Sequence, residues 1–152
     1  GENGRSTMVR DPGGAAVGAW QPGTQQGFEI TGEVGTPTWF ELHTREYDKA
    51  VSFYRDVFKW DAHTVSDTDE FRYTTFGEGD NQLAGIMDDT AVSGDADPPH
   101  WAIYFKVDDA DAVLEKIVGL GGKVIQPAED TPYGRLARAA DPTGAEFRIV
   151  AG

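Results

Sequence analysis

Two stretches of this chain change their hydrophobic period in the same way. FELHTREYDKAVSFYRDVF, starting at Phe40, and IYFKVDDADAVLEKIVGLG, starting at Ile103, begin with alternating apolar and polar residues and then turn to helical spacing. In the first, Tyr47, Ala50, Val51, Tyr54 and Phe58 fall at i, i+3, i+4, i+7 and i+11; in the second, Ala110, Val113, Leu114, Ile117 and Leu120 make a similar stripe. A stripe of that kind predicts an amphipathic helix lying on a sheet. Asp108 or Asp109 provides an N-cap for the second helix, and Gly121-Gly122 a stop. Short strand-like runs follow each helix: Ala62–Val65, Phe71–Phe76 and Gln82–Met87, then Lys123–Gln126, Leu136–Ala140 and Glu146–Val150. SDTDE, GEGDN, EDTPYG and DPTG separate them as breakers.

The expected plan is β-α-β-β-β, a connector rich in Asp, Gly and Pro at Asp88–Pro99, and β-α-β-β-β again, at an offset of 63 residues. A second echo has an offset of 130. GRSTMVRDPGGA at 4–15 shares Gly, Arg, Asp, Pro, Gly and Ala, without a gap, with GRLARAADPTGA at 134–145. Each D-P-x-G is a turn signal, in which Asp caps, Pro presets φ and Gly suits the last position. Each copy therefore reads as a β-hairpin. Twice 63 lies close to 130, so residues 1–24 are expected to be the terminal hairpin of a preceding module, 25–35 a linker, and 36–152 a complete module with halves 36–88 and 99–150.

Composition narrows the function. The 152 residues carry a net charge of −13, with no cysteine. That excludes disulfides and thiolate chemistry, and disfavours nucleic acid, which is held by clustered Lys and Arg. No apolar run is long enough for a membrane helix, and the N-terminus shows no signal pattern. A cytoplasmic protein with no nucleic-acid or membrane partner is the expectation. GEGDNQLAG lacks the Lys-Ser/Thr ending of a phosphate loop and reads as a turn and a strand.

WFELHTREYDKAVSFYRDVFKW, HWAIYFKVDDADAVLEKIVGLGGKV and GRLARAADPTGAEFRIV, in this order and spacing, resemble the vicinal oxygen chelate superfamily, also called the glyoxalase/bleomycin-resistance/dioxygenase family. DPGGAAVGAWQPG resembles the module ending of its tandem members. The resemblance implies an α+β fold of paired βαβββ units forming a curved, cup-like mixed sheet with helices outside. It also implies a divalent metal in the cup, held by His, Glu or Gln, acting as a Lewis acid on substrate oxygens. Aligned on the motifs, the four ligand positions fall at Trp39, near Gly85, at Ala102 and at Arg148, and in the leading hairpin at Gly18. None of these side chains is a metal ligand, so no cofactor is expected.

Alternation along the strands then gives the cup lining. Trp39, Glu41 and His43 share a face, as do His100, Ala102, Tyr104 and Lys106, and Glu146 and Arg148. Phe40, Leu42, Trp101, Ile103, Phe105, Phe147 and Ile149 fall behind. Trp39, Glu41, His43, His100, Tyr104, Glu146 and Arg148 are the candidate ligand-binding residues. Trp39 and Tyr104 offer faces for a flat ligand; Glu41 and Arg148 offer charges to it or to each other. His43 and His100 are the candidate general bases, whereas His63 belongs to the surface. A displaced divalent-metal site of Glu41, His100 and Glu146 is the alternative donor set. Three functions stand open: a metal-free small-molecule binder; a metal-dependent lyase, dioxygenase or hydroxylase using displaced ligands or a missing module; and a structural half that dimerises or pairs with a preceding module.

Overall fold

The computed structural model describes residues 1–91 and 97–152; the centre of the expected connector lies outside them. Among the described residues there are ten strands and two α-helices, a mixed α+β fold. The strands are β1 (Gly4–Arg10), β2 (Ala16–Pro22), β3 (Pro37–Thr44), β4 (Ala62–Asp67), β5 (Arg72–Phe76), β6 (Ala84–Asp88), β7 (His100–Val107), β8 (Lys123–Thr131), β9 (Gly134–Ala140) and β10 (Glu146–Ala151). The helices are α1 (Tyr47–Phe58) and α2 (Ala110–Gly119). They form two compact units, residues 1–29 with 40–101, and residues 30–39 with 102–152.

The predicted β-α-β-β-β order holds in each half. Strand order runs β4-β5-β6-β3 in the first and β7-β10-β9-β8 in the second. In both halves the last strand is antiparallel to its hairpin partner and parallel to the strand before the helix. Asp109 caps α2 by accepting from the Ala112 N–H. At its other end, Gly121 takes φ +90°, and the Gly122 N–H returns to the Ile117 carbonyl, the six-to-one closure that a left-handed glycine permits. Two breakers are corrected. The first two residues of SDTDE continue β4, because Ser66 and Asp67 pair with Tyr73 and Arg72 on β5. The first three residues of EDTPYG continue β8, because Asp130 and Thr131 pair with Arg135 and Gly134 on β9, and the turn is confined to Pro132-Tyr133.

In the first unit α1 seats Ala50 and Tyr54 on Leu42, Phe76 and Ile86, all nearly inaccessible. Trp60 and Trp101 complete an aromatic cluster around Tyr54. In the second, Ala110 and Leu114 of α2 cover Ala137, Ala139 and Ile149. Leu42 and Phe40 lie on the helix side of β3, and Trp101 and Phe105 on the core sides of their units, as alternation requires. Ile103 departs from that rule, being 39% exposed.

The leading D-P-G-G turn is a hairpin, β1 with β2, in a two-stranded sheet of its own. Its turn is anchored in the first unit. Asp11, 5% exposed, accepts from the N–H groups of Gly14 and Ala15 and from the Tyr54 hydroxyl. That hydroxyl in turn accepts from the Trp101 indole N–H. Ala15 is buried in the same core.

Candidate functional site

In the first unit, β3 ends in a buried charged group. Glu41 and His43 lie two residues apart, so both side chains leave the same face of the strand. His43 is 1% exposed. Its Nε2 is 3.0 Å from Glu41 Oε1, and its Nδ1 is 3.1 Å from Oδ1 of Asp89, just beyond β6. Nδ1 makes a hydrogen bond with Asp89, whereas Nε2 faces Glu41 at ion-pair distance. The second Glu41 oxygen accepts from the Tyr73 hydroxyl on β5 at 2.6 Å. His100 lies flat against His43, with ring centroids 5.0 Å apart and planes 4° from parallel, and its Nδ1 is 2.9 Å from the Pro98 carbonyl.

Gly85 makes this arrangement possible. It pairs with Glu41 across the parallel β3–β6 ladder and with Thr75 across β5–β6. A Cβ at position 85 would collide with the Tyr73 hydroxyl, which occupies the space a side chain would take. Tyr73 thereby reaches Glu41 over a bare stretch of backbone.

The second unit holds the other candidates. The Arg148 guanidinium lies over the Tyr104 ring, 5.4 Å from its centroid, and donates to the Tyr104 hydroxyl at 3.1 Å. Tyr104 is 5% exposed, so its ring is covered by Arg148 rather than open. Glu146 accepts from Arg138 at 2.7 Å, and Arg138 pairs with Arg148 in the β9–β10 register. Trp39 is half-buried on β3. Glu41, His43 and His100 thus gather in one unit, and Tyr104, Glu146 and Arg148 in the other. Glu41 is engaged by Tyr73 and His43, and Arg148 by Tyr104. His63 bridges Asp61 and Glu78 at a polar edge, and the hydrogen bond it donates to Asp61 raises its pKa above the ordinary value.

Tyr73, Asp89 and Arg138 were not legible as site residues. Alternation in FRYTTF gives the face of Tyr73 but not its reach, which depends on the glycine of a neighbouring strand. Asp89 follows the last residue of β6 and reads as the start of a connector.

The glyoxalase/bleomycin resistance protein/dioxygenase superfamily model matches residues 25–149. The chain belongs to this superfamily. Curated relatives include the putative glyoxylase CFP32 of Mycobacterium tuberculosis, 37% identical over 151 residues, 99% of this chain and 57% of that protein. The anthracycline biosynthesis protein DnrV of Streptomyces peucetius is 38% identical over 150 residues, 97% of this chain and 52% of that protein. The chain spans about half the length of these relatives. Among solved structures, methylmalonyl-CoA epimerase from Mycobacterium tuberculosis aligns with a TM-score of 0.54 at 18% identity, over 82% of this chain and 92% of that one. A Mn(II)-bound glyoxalase from Novosphingobium aromaticivorans aligns with a TM-score of 0.54 at 20% identity, over 78% of this chain and 39% of that one. These likenesses fix the superfamily fold.

The superfamily's metal is a poor fit to the residues this chain offers. The positions to which the resemblance assigns ligands hold Trp39, Ala102 and Arg148, with a fourth near Gly85, and the room beside Gly85 belongs to a phenol. Among the described residues, no three His, Cys, Asp or Glu side chains form a group that could hold a metal ion. Glu41, His43 and Asp89 are close, but opposite edges of the imidazole face the two carboxylates, so the donor atoms point at one another instead of at a common centre. Among the described residues no helix is long and apolar enough to cross a membrane.

Proposed function

We propose that this chain is a small-molecule-binding module of the superfamily that works without the metal centre. The observation that carries this reading is the Tyr73 hydroxyl filling the place of a side chain at 85 and fastening onto Glu41. Gly85, near a position to which the resemblance assigns a metal ligand, instead backs a hydrogen-bonded network of organic groups. The proposed ligand is flat and rich in oxygen. Trp39 offers an aromatic face, and Arg148 offers N–H donors for carbonyl or phenolate oxygen. The relatives named for anthracycline biosynthesis point the same way, since that chemistry concerns fused aromatic rings bearing oxygens.

The test uses protein purified without chelator. Its metal content is measured, and its melting temperature is followed with an anthracycline aglycone, with and without EDTA. The expected result is substoichiometric metal and a rise in melting temperature that EDTA leaves intact; at a ligand concentration one hundred times Kd the stabilisation is about 2.7 kcal/mol. Trp39→Ala should abolish the rise and leave the ligand-free melting temperature near the parent value. Stoichiometric tightly held metal, or ligand stabilisation lost on chelation, overturns the reading.

A further inference from the structure

At the 63-residue offset, Glu41, Thr75 and Gly85 of the first unit correspond to Tyr104, Arg138 and Arg148 of the second. The registers agree: Gly85 pairs with Glu41 and Thr75, and Arg148 with Tyr104 and Arg138. The same place in the ladder has opposite chemistry in the two units. In the first, a carboxylate stands beside a residue with no side chain, and a phenol fills the room. In the second, a guanidinium stands where the glycine was, and a phenol takes the place of the carboxylate.

The sheet face that carries Arg148 is the one turned away from α2, which covers Ala137, Ala139 and Ile149. On β7, β9 and β10 of the second unit that face bears Lys106, Arg138 and Arg148 against one carboxylate, Glu146. β8 adds Lys123 and Glu129, one of each sign. A chain with a net charge of −13 thus gathers positive charge here. Arg138 and Arg148 are directly opposite in the ladder, an arrangement of like charges that by itself destabilises a sheet.

The two arginines differ in what they hold. Arg138 turns Nε and Nη2 onto Glu146. Arg148, half-buried, uses Nη1 alone, on the neutral Tyr104 hydroxyl, and its Nε–Nη2 edge meets no acceptor among the described residues. Elsewhere in this molecule that edge holds carboxylates. Arg135 grips both oxygens of Asp111 with it, at 2.7 and 3.1 Å, and Arg55 both oxygens of Asp56, at 2.8 and 3.2 Å. Two parallel N–H donors match the two oxygens of a carboxylate, and such bidentate pairs are among the strongest hydrogen-bonded contacts. Lys106, two residues beyond Tyr104 on the same face, makes no ion pair among the described residues.

We infer that Arg148 is the carboxylate receptor of the second unit: the small molecule bound there carries a carboxylate, which takes the Nε–Nη2 edge. Arg138, already fastened to Glu146, and the unpaired Lys106 supply a positive field around it. The inference rests on the reading of this module as a metal-free binder of flat ligands, and it gives that ligand its charge.

Two ligands with one ring system provide the test, anthraquinone-2-carboxylate and its neutral carboxamide. Their dissociation constants are measured by calorimetry at neutral pH, with and without EDTA, for the parent chain and for Arg148→Gln. The carboxylate is expected to bind the parent about tenfold tighter or more. In Arg148→Gln the two should bind alike, near the carboxamide's affinity for the parent. Equal affinities in the parent overturn the carboxylate assignment and leave the metal-free binder standing, as does a preference that survives Arg148→Gln. Binding of neither compound, or a preference lost with EDTA, overturns both. Arg148→Lys guards against a glutamine variant that fails to fold: it keeps the charge without the paired donors, and should lose most of the preference. Full preference in Arg148→Lys overturns the proposal. Inorganic phosphate that displaces the carboxylate at equal concentration would assign the edge to a phosphate and likewise overturn it.

Discussion

Gly85 is a residue whose importance lies in what it leaves room for. Gly85→Ala should cost about 2 kcal/mol through overpacking against Tyr73, measured by urea unfolding. In a Tyr73→Ala background most of that cost should vanish; simple additivity would show that the two positions do not share the space. His43 is a second test. Removing the imidazole leaves Glu41 and Asp89 buried without the ring that stands between them, and His43→Ala should cost about 3–5 kcal/mol. A loss below about 1 kcal/mol would mean that the cluster behaves as an exposed ion pair. His63 gives a pH signal of defined sign. Asp61 and Glu78 raise its folded pKa above 6.5, so its pairing stabilises the fold at low pH and fades as pH rises through the folded value. An NMR titration should place its midpoint above 6.5, and Asp61→Asn should lower it. At this scale the sequence was half legible. Alternation put Glu41 beside His43, but the partners came from other strands, at contacts no local pattern encodes.

At the scale of elements, the two D-P-x-G hairpins show how one motif takes two environments. Asp141 caps its own turn through Thr143 and Ala145 near solvent, and those bonds hold its carboxyl below the usual range. Asp11 likewise accepts from Ala15, takes a second backbone bond from Gly14, and in addition accepts from the Tyr54 hydroxyl inside the core. Asp11→Ala should therefore cost about 3 kcal/mol, leaving buried donors unmatched, and Asp141→Ala distinctly less; equal losses in thermal unfolding would contradict the difference in burial. The helices were legible because their stripes, cap and glycine stop agree with one another. The end of β8 was not, because Glu129, Asp130 and Thr131 look like loop residues and owe their strand form to pairing with β9.

Across the whole molecule, 26 acidic residues face 13 Lys and Arg, so even complete pairing leaves 13 carboxylates repelling one another. Raising salt from about 0.02 to 0.3 M should screen that repulsion and raise the melting temperature; a fall would mean that ion pairs such as those of Arg72 and Arg135 with their aspartates outweigh it. The doubled βαβββ plan was legible here because a repeat announces itself twice. The anchorage of residues 1–24 was not, since nothing in a turn signal says what it will be pressed against. That anchorage bears on where the protein can be shortened. The superfamily match starts at residue 25, yet a version trimmed to that boundary would strip Ala15 and Asp11 from Tyr54 and Trp101, baring an indole and a phenol to water. Such a product should be sticky and dim in folding yield, because the family's border and the globule's border fall in different places along the chain.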